Sequence, residues 1–138
     1  MTNELFWLLM TAMLAASLWM PYIIGINTTE FEGKDEIFVR PPDQKKMLPW
    51  VQRSYRAHLN LLEQFLPFAA IVIIAHLLKV STPITVWSAF LFFWLRFAHA
   101  IGMISGLARL PVRPMLYVAG WLVTMAIAWQ ILAYAPRV

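Results

Sequence analysis

Residues 56–63 have the sequence RAHLNLLE and lead directly into an apolar segment that continues to about residue 80. Arg56, Asn60 and Glu63 are spaced i, i+4 and i+7, so they share one face of a helix. Charged side chains within the hydrocarbon region of a membrane are costly and normally face a protein interior or a water-filled cavity. The stretch therefore predicts a membrane helix whose polar face lies in either a binding pocket or a polar contact between helices.

The composition of the whole chain agrees with a membrane location. Hydrophobic residues make up 61% of the 138 residues and charged residues only 13%, against about 45–50% and about 25% in soluble domains. The chain has no cysteine, which excludes disulfides, thiolate metal sites and a cysteine nucleophile. The net charge of +4 comes without a basic patch interleaved with aromatic residues, which argues against a nucleic-acid partner. When depth in the membrane is counted from the helical rise of about 1.5 Å per residue, His99 lies at a different depth from both His58 and His76. These histidines therefore cannot share a haem iron, and no metal site is predicted.

Four apolar segments follow one another along the chain, each with roughly the 20 residues that a helix needs to cross a bilayer. They cover about residues 5–26, 59–80, 84–107 and 115–134. The short link at residues 81–83 makes the second and third segments an antiparallel hairpin, and residues 27–55 form the sizeable loop. We therefore predict an all-α integral membrane protein, a single domain over residues 1–138 folded as a bundle of four transmembrane helices.

The distribution of basic residues predicts how the bundle is oriented. Lysines and arginines gather in the loop at residues 27–55 and in the link before the fourth span, whereas the opposite side carries Lys79 and Arg137. Basic loops stay in the cytoplasm, so both termini are expected on the non-cytoplasmic side. The short length and this topology suit a bacterial inner membrane.

A second group of polar residues lies at the third span and the link after it. Arg96 and His99 are spaced i, i+3 on the third span, and Arg113 and Tyr117 are spaced i, i+4 at the start of the fourth. These residues lie at depths in the membrane close to that of the polar face of RAHLNLLE, so we expect the two groups to come into contact. Glu63 would then offset the charge of Arg96. Two interpretations stay open: a buried ion network that holds the bundle or its oligomer together, and a pocket in which arginines bind a small anion.

The residues just described resemble the MAPEG family, the membrane-associated proteins in eicosanoid and glutathione metabolism, in a bacterial-type member. The resemblance is carried by RAHLNLLE with the Pro-Phe pair at residues 67–68, by Arg96 and His99, and by RLPVR at residues 109–113 followed by Tyr117. It implies a homotrimer of four-helix subunits in the lipid bilayer, with glutathione bound between adjacent subunits. Family members conjugate glutathione to lipophilic electrophiles, use it to reduce lipid hydroperoxides, or isomerise a prostaglandin endoperoxide.

The resemblance also implies roles for individual residues. Glutathione would be held by Asn60, Glu63, His99, Arg113 and Tyr117. Arg113 would stabilise the thiolate and is the catalytic candidate, while the supporting polar network would consist of Arg56, His58 and Arg96. The functional hypothesis is a glutathione-dependent membrane transferase or peroxidase that acts on a lipophilic small molecule.

An alternative function follows from two departures from the family pattern. Leu59 stands where glutathione-using relatives often have an arginine, and Met103 where several have a tyrosine. These departures favour a non-catalytic scaffold or an accessory subunit of a larger membrane complex. The retained Glu63, Arg113 and Tyr117 favour the enzyme.

Overall fold

The computed structural model describes residues 1–37 and 39–136. Phe38, Arg137 and Val138 lie outside the described residues. Arg137 is one of the two basic residues expected on the non-cytoplasmic side. The described part of the chain is helical, with α1 (Asn3–Ser17), α2 (Met20–Thr28), α3 (Pro49–Leu77), α4 (Pro83–Ser105) and α5 (Val112–Tyr134). Two short 3-10 helices, Lys34–Glu36 and Gln44–Lys46, lie in the loop between α2 and α3.

Among residues 1–37 and 39–136, four helical segments are long and apolar enough to cross a membrane: α1 together with α2 (Asn3–Thr28), then α3, α4 and α5. The prediction of an all-α bundle of four transmembrane helices is confirmed. Large apolar side chains such as Leu66, Trp87 and Trp129 remain exposed on the outer surface of the bundle, as contact with lipid requires. Since α3 begins at Pro49, the RAHLNLLE stretch lies well inside this helix.

The first span is interrupted between Ser17 and Met20. Pro21 explains the interruption, because it has no N–H to donate to the carbonyl of Ser17 and its ring obstructs a continuous helix. After the break, α2 packs closely on α3. A Cβ atom on Gly25 would lie 2.5 Å from Cγ2 of Val51, so only glycine fits at this contact.

The core of the bundle is centred on α4, which contacts α1, α3 and α5. Phe68 of α3 and Phe92 of α4 are fully buried, and their rings stack with centroids 3.8 Å apart. Val72 and Ile127 belong to the same buried cluster. This packing holds the inward face of α4, which continues to Arg96 and His99, against α3 and α5.

The two ends of the bundle carry different polar groups. At the end that we call the Glu4 end, the start of α1, the link between α3 and α4, and the last part of α5 are joined by hydrogen bonds from Ser81 to Glu4 and from Thr82 to Gln130. At the opposite end, the Arg113 end, Nε of Arg53 on α3 donates to the carbonyl of Ile104 near the end of α4. Each end also contains a cavity.

Candidate functional site

The cavity at the Arg113 end has a volume of about 370 Å³ and lies between α3, α4 and the start of α5. Ligand pockets have volumes of about 300–1,000 Å³, so this one has room for a small ligand. Its polar lining consists of Asn60, His99, Arg113 and Tyr117, and its apolar lining of Leu110, Pro114 and Val118. Three helices thus bring four of the five residues predicted to hold a ligand into one cavity.

The helices fix the polar lining in place. His99 is buried on the inner face of α4, and its ring centroid lies 6.4 Å from that of Tyr117 on α5. Tyr117 stands one helical turn after Arg113, so both face the same side of α5. Asn60 is held by two contacts of its Nδ2 atom, a 2.8 Å hydrogen bond to the carbonyl of Arg56 and a 3.7 Å contact with Sδ of Met103.

Arg113 is the half-buried cation of this cavity. The ion pairs of the described residues are confined to the loop between α2 and α3, where they join Lys34 to Glu30, Arg40 to Glu36 and Lys46 to Glu32. Among the residues that the structure describes, Arg113 therefore has no carboxylate partner. A guanidinium group beside apolar walls is suited to an anionic ligand, which it can bind through two parallel hydrogen bonds.

Arg96 lies deeper in the bundle, beneath the cavity. It is 1% exposed, and its Nη2 atom donates a 2.5 Å hydrogen bond to the carbonyl of Leu116. Its guanidinium carbon lies 5.6 Å from the ring centroid of Tyr117 and 5.9 Å from that of Phe92, within the range of cation–π attraction. Nε and Nη1 have no partner among the described atoms. Arg96 therefore supports the wall formed by Tyr117 and does not line the cavity itself.

Gln64, rather than Glu63, is the residue of α3 that approaches Arg96. A Cβ atom on Gly120 would lie 2.6 Å from Oε1 of Gln64 and 2.9 Å from Nη2 of Arg96, so both side chains converge on this glycine. Nε2 of Gln64 donates a 2.9 Å hydrogen bond to the carbonyl of Tyr117. Gly120 thus leaves space for two polar side chains that bond to the backbone of α5 next to the cavity.

The structure does not bring Glu63 and Arg56 to the cavity or to Arg96. Both are exposed on the outer face of α3, and Glu63 stands at the midpoint of this helix. The expected pairing of Glu63 with Arg96 is absent from the described chain, because consecutive helix positions differ by about 100° and Gln64 occupies the inward direction. His58, the third residue assigned to the polar network, is half-buried, and its Nδ1 atom has no partner among the described atoms.

Sequence reasoning missed two residues that shape this end of the bundle, Gln64 and Arg53. Gln64 follows Asn60 by one helical turn, a spacing that could have placed it beside the cavity. Arg53 donates to the carbonyl of Ile104 at 3.2 Å, next to Gly106, which ends α4 with a φ of 80°. A glycine directly after an apolar helix marks a C-terminal cap whose carbonyls need donors, and this signal pointed to a basic partner.

Comparison with known proteins adds an independent finding. The sequence model of the MAPEG family matches residues 6–133. Prostaglandin E synthase of Homo sapiens is 30% identical to the chain over 125 residues, which cover 84% of this chain and 81% of the human protein. Prostaglandin E synthase of Macaca fascicularis has the same identity and coverage. The family match includes every residue that lines the cavity.

Proposed function

This chain belongs to the MAPEG family, and we propose that it is a glutathione-dependent membrane enzyme of the transferase or peroxidase type that acts on lipophilic substrates. The observation that carries this proposal is the cavity at the Arg113 end. There an arginine with no carboxylate partner in the described chain shares apolar walls with Asn60, His99 and Tyr117.

The cavity fits the chemistry of glutathione. The tripeptide carries two carboxylates, one ammonium group and a thiol, so it requires both cationic and neutral polar partners. Arg113 would bind a carboxylate or the thiolate, and Asn60, His99 and Tyr117 would orient the peptide through hydrogen bonds. The thiol supplies the nucleophile or the reducing equivalents. A guanidinium group beside it favours the thiolate, because nearby positive charge lowers the pKa of a thiol.

The outer face of α3 supports assembly into an oligomer. A charged side chain that faces lipid within the hydrocarbon region is costly, and Glu63 is exposed on the outer face of α3, one of the helices long and apolar enough to cross a membrane. Contact with a second subunit would remove both Glu63 and Arg56 from lipid. Asn60 lies between this face and the cavity. A neighbouring subunit packed against this face would therefore also reach the cavity, and Glu63 would become part of the site at the subunit contact. We propose a homotrimer, as the family resemblance implies.

The chain would form one domain over residues 1–138 in a bacterial inner membrane, with the Arg113 end on the cytoplasmic side and both termini on the other. Basic residues support this orientation, because they lie at or near the Arg113 end, in the loop before α3, in the first turns of α3 and in the link before α5: Lys45, Lys46, Arg53 and Arg109. A lipophilic substrate would reach the cavity from the bilayer through the apolar side formed by Leu110 and Val118.

Turnover of glutathione with two different acceptors tests this function. Chlorodinitrobenzene reports transferase activity and cumene hydroperoxide reports peroxidase activity. Arg113→Ala is expected to abolish turnover while the oligomer elutes unchanged in size-exclusion chromatography. Arg109→Ala is the matched control, since Arg109 is exposed and does not line the cavity. Turnover by Arg113→Ala as high as that of an active Arg109→Ala variant would exclude Arg113 from the mechanism.

One observation favours a scaffold as the second candidate. Met103 is buried, and its sulfur contacts Nδ2 of Asn60, so part of the polar surface of Asn60 is already occupied. A folded oligomer that turns over neither acceptor and co-purifies with other membrane proteins would support an accessory subunit of a larger complex.

A further inference from the structure

A second cavity lies at the Glu4 end, at the opposite end of the bundle from the Arg113 cavity. Its volume is about 240 Å³, and it is enclosed by the start of α1, the end of α3 and the link to α4. Val72, Ala75 and Val80 supply apolar walls, and Glu4, His76 and Lys79 supply groups that can carry charge. Nothing in the proposed glutathione chemistry uses this cavity.

Glu4 forms the buried polar wall of the cavity. The residue is only 5% exposed, although it stands in the first turn of α1. Its Oε1 atom accepts hydrogen bonds from the hydroxyl groups of Ser81 and Thr85, both at 2.7 Å. Its Oε2 atom is buried and has no partner among the described atoms. An unsatisfied buried polar atom is costly, and more so when it is charged, so this carboxylate has unused capacity to accept a hydrogen bond.

The basic groups of the cavity are placed differently. His76 and Lys79 are exposed at the end of α3, and none of the ion pairs of the described residues includes Glu4. The site therefore has a buried acceptor at its inner wall and cationic groups at its rim. A ligand that complements this arrangement carries an ammonium group that points inward and an anionic group that stays outside.

The position of the cavity further limits the class of ligand that it can bind. It lies where the helices that cross the bilayer end, at the level of lipid headgroups. Next to it, Leu77 of α3 and Ile84 of α4 are exposed apolar side chains suited to acyl chains. We infer that this cavity binds the headgroup of an ethanolamine phospholipid. Its ammonium group donates to the carboxylate of Glu4 at the inner wall, and its phosphate lies near Lys79 at the rim.

Three phospholipid headgroups differ in the groups that they can offer to Glu4. A phosphatidylcholine headgroup has the same charges, but its quaternary ammonium has no N–H to donate to Glu4. A phosphatidylglycerol headgroup has no cation at all. Native mass spectrometry of the wild-type protein, released from bilayers with equal amounts of the three lipids and matched acyl chains, compares them directly. We expect phosphatidylethanolamine to be retained at least tenfold more than phosphatidylcholine, and equal retention of the two would overturn the inference.

Glu4→Gln locates the site. The substitution keeps an amide oxygen for the hydrogen bonds from Ser81 and Thr85 but removes the charge. We expect it to lower retention of phosphatidylethanolamine to the level of phosphatidylcholine, with an unchanged melting profile. Glu30→Gln is the matched control, because Glu30 lies in the loop and does not line the cavity. Full retention by a folded Glu4→Gln variant would overturn the inference.

Two further results would assign the cavity to another partner. Thermal stabilisation by soluble phosphoethanolamine, without retention of the lipid, would show that a free amine is the ligand and would overturn the inference. The other alternative is that Lys79 folds inward and pairs with Glu4. A Lys79→Gln variant that melts at a lower temperature, together with equal retention of all three lipids, would establish that pair and overturn the inference.

Discussion

Substitution of Gly120 by alanine tests the arrangement that supports the cavity wall. The new Cβ atom would lie 2.6 Å from Oε1 of Gln64, 2.9 Å from Nη2 of Arg96 and 3.1 Å from its Cζ. These atoms end flexible side chains, but both residues are buried and both donate hydrogen bonds to carbonyls of α5. A shift of either side chain away from the new methyl group would lengthen or break its hydrogen bond. Gly120→Ala is therefore expected to destabilise the protein, although alanine is the better helix former.

The size of the effect follows from the bonds that are displaced. A hydrogen bond from a charged donor such as Arg96 contributes about 1.5–3 kcal/mol, and one from a neutral donor such as Gln64 contributes about 0.5–1.5 kcal/mol. Replacement of glycine by alanine inside a helix recovers about 1 kcal/mol. We expect a net loss of about 1–3.5 kcal/mol in the free energy of unfolding, on the basis of these contributions.

Unfolding by sodium dodecyl sulfate in mixed micelles, followed by tryptophan fluorescence, measures this loss. The double variant Gln64→Ala with Gly120→Ala is the control. Removal of the Gln64 side chain relieves the closest contact, so the double variant should lose less stability than the sum of the two single variants. A Gly120→Ala variant as stable as wild type, or exact additivity of the two substitutions, would refute the described packing of Gln64 and Arg96 against Gly120.

Substitutions at three further positions have expected outcomes. Phe68→Ala removes a fully buried ring stacked on Phe92 and should cost about 3–5 kcal/mol in the same unfolding assay; a loss below about 1 kcal/mol would contradict the packing. Arg53→Ala removes the donor to the carbonyl of Ile104 and should cost about 1.5–3 kcal/mol, whereas Arg53→Lys should restore part of that loss. Glu63→Gln should increase the fraction of monomer in native mass spectra, and an unchanged oligomer would exclude Glu63 from subunit contacts.

The fold could be predicted from the sequence because four apolar blocks are each long enough to span a bilayer and the last two links between them are short. The break before Met20 follows from Pro21, whose effect on a helix is local. The start of α3 at Pro49 was harder to predict, because the first turns of this helix are polar and hydropathy alone does not distinguish them from the loop.

The cavity could be predicted in part. The spacing of Arg113 and Tyr117 and the depth of Asn60 and His99 suffice to bring these four residues together, as the structure describes. The direction of Glu63 could not be predicted, because a rotation of α3 by one residue exchanges Glu63 with Gln64 at the inner face. That rotation is set by the packing of Phe68 against α4, which involves residues far apart in the sequence.

Glutathione binding is the most direct test of the proposed function. Isothermal titration calorimetry of the detergent-purified protein compares glutathione with ophthalmic acid, which lacks the thiol. We expect saturable binding of about one glutathione per subunit, in accordance with one cavity in each chain, and tighter binding of glutathione than of ophthalmic acid because Arg113 favours the thiolate. No binding of glutathione at millimolar concentration, to protein shown to be folded, would contradict the assignment of the Arg113 cavity.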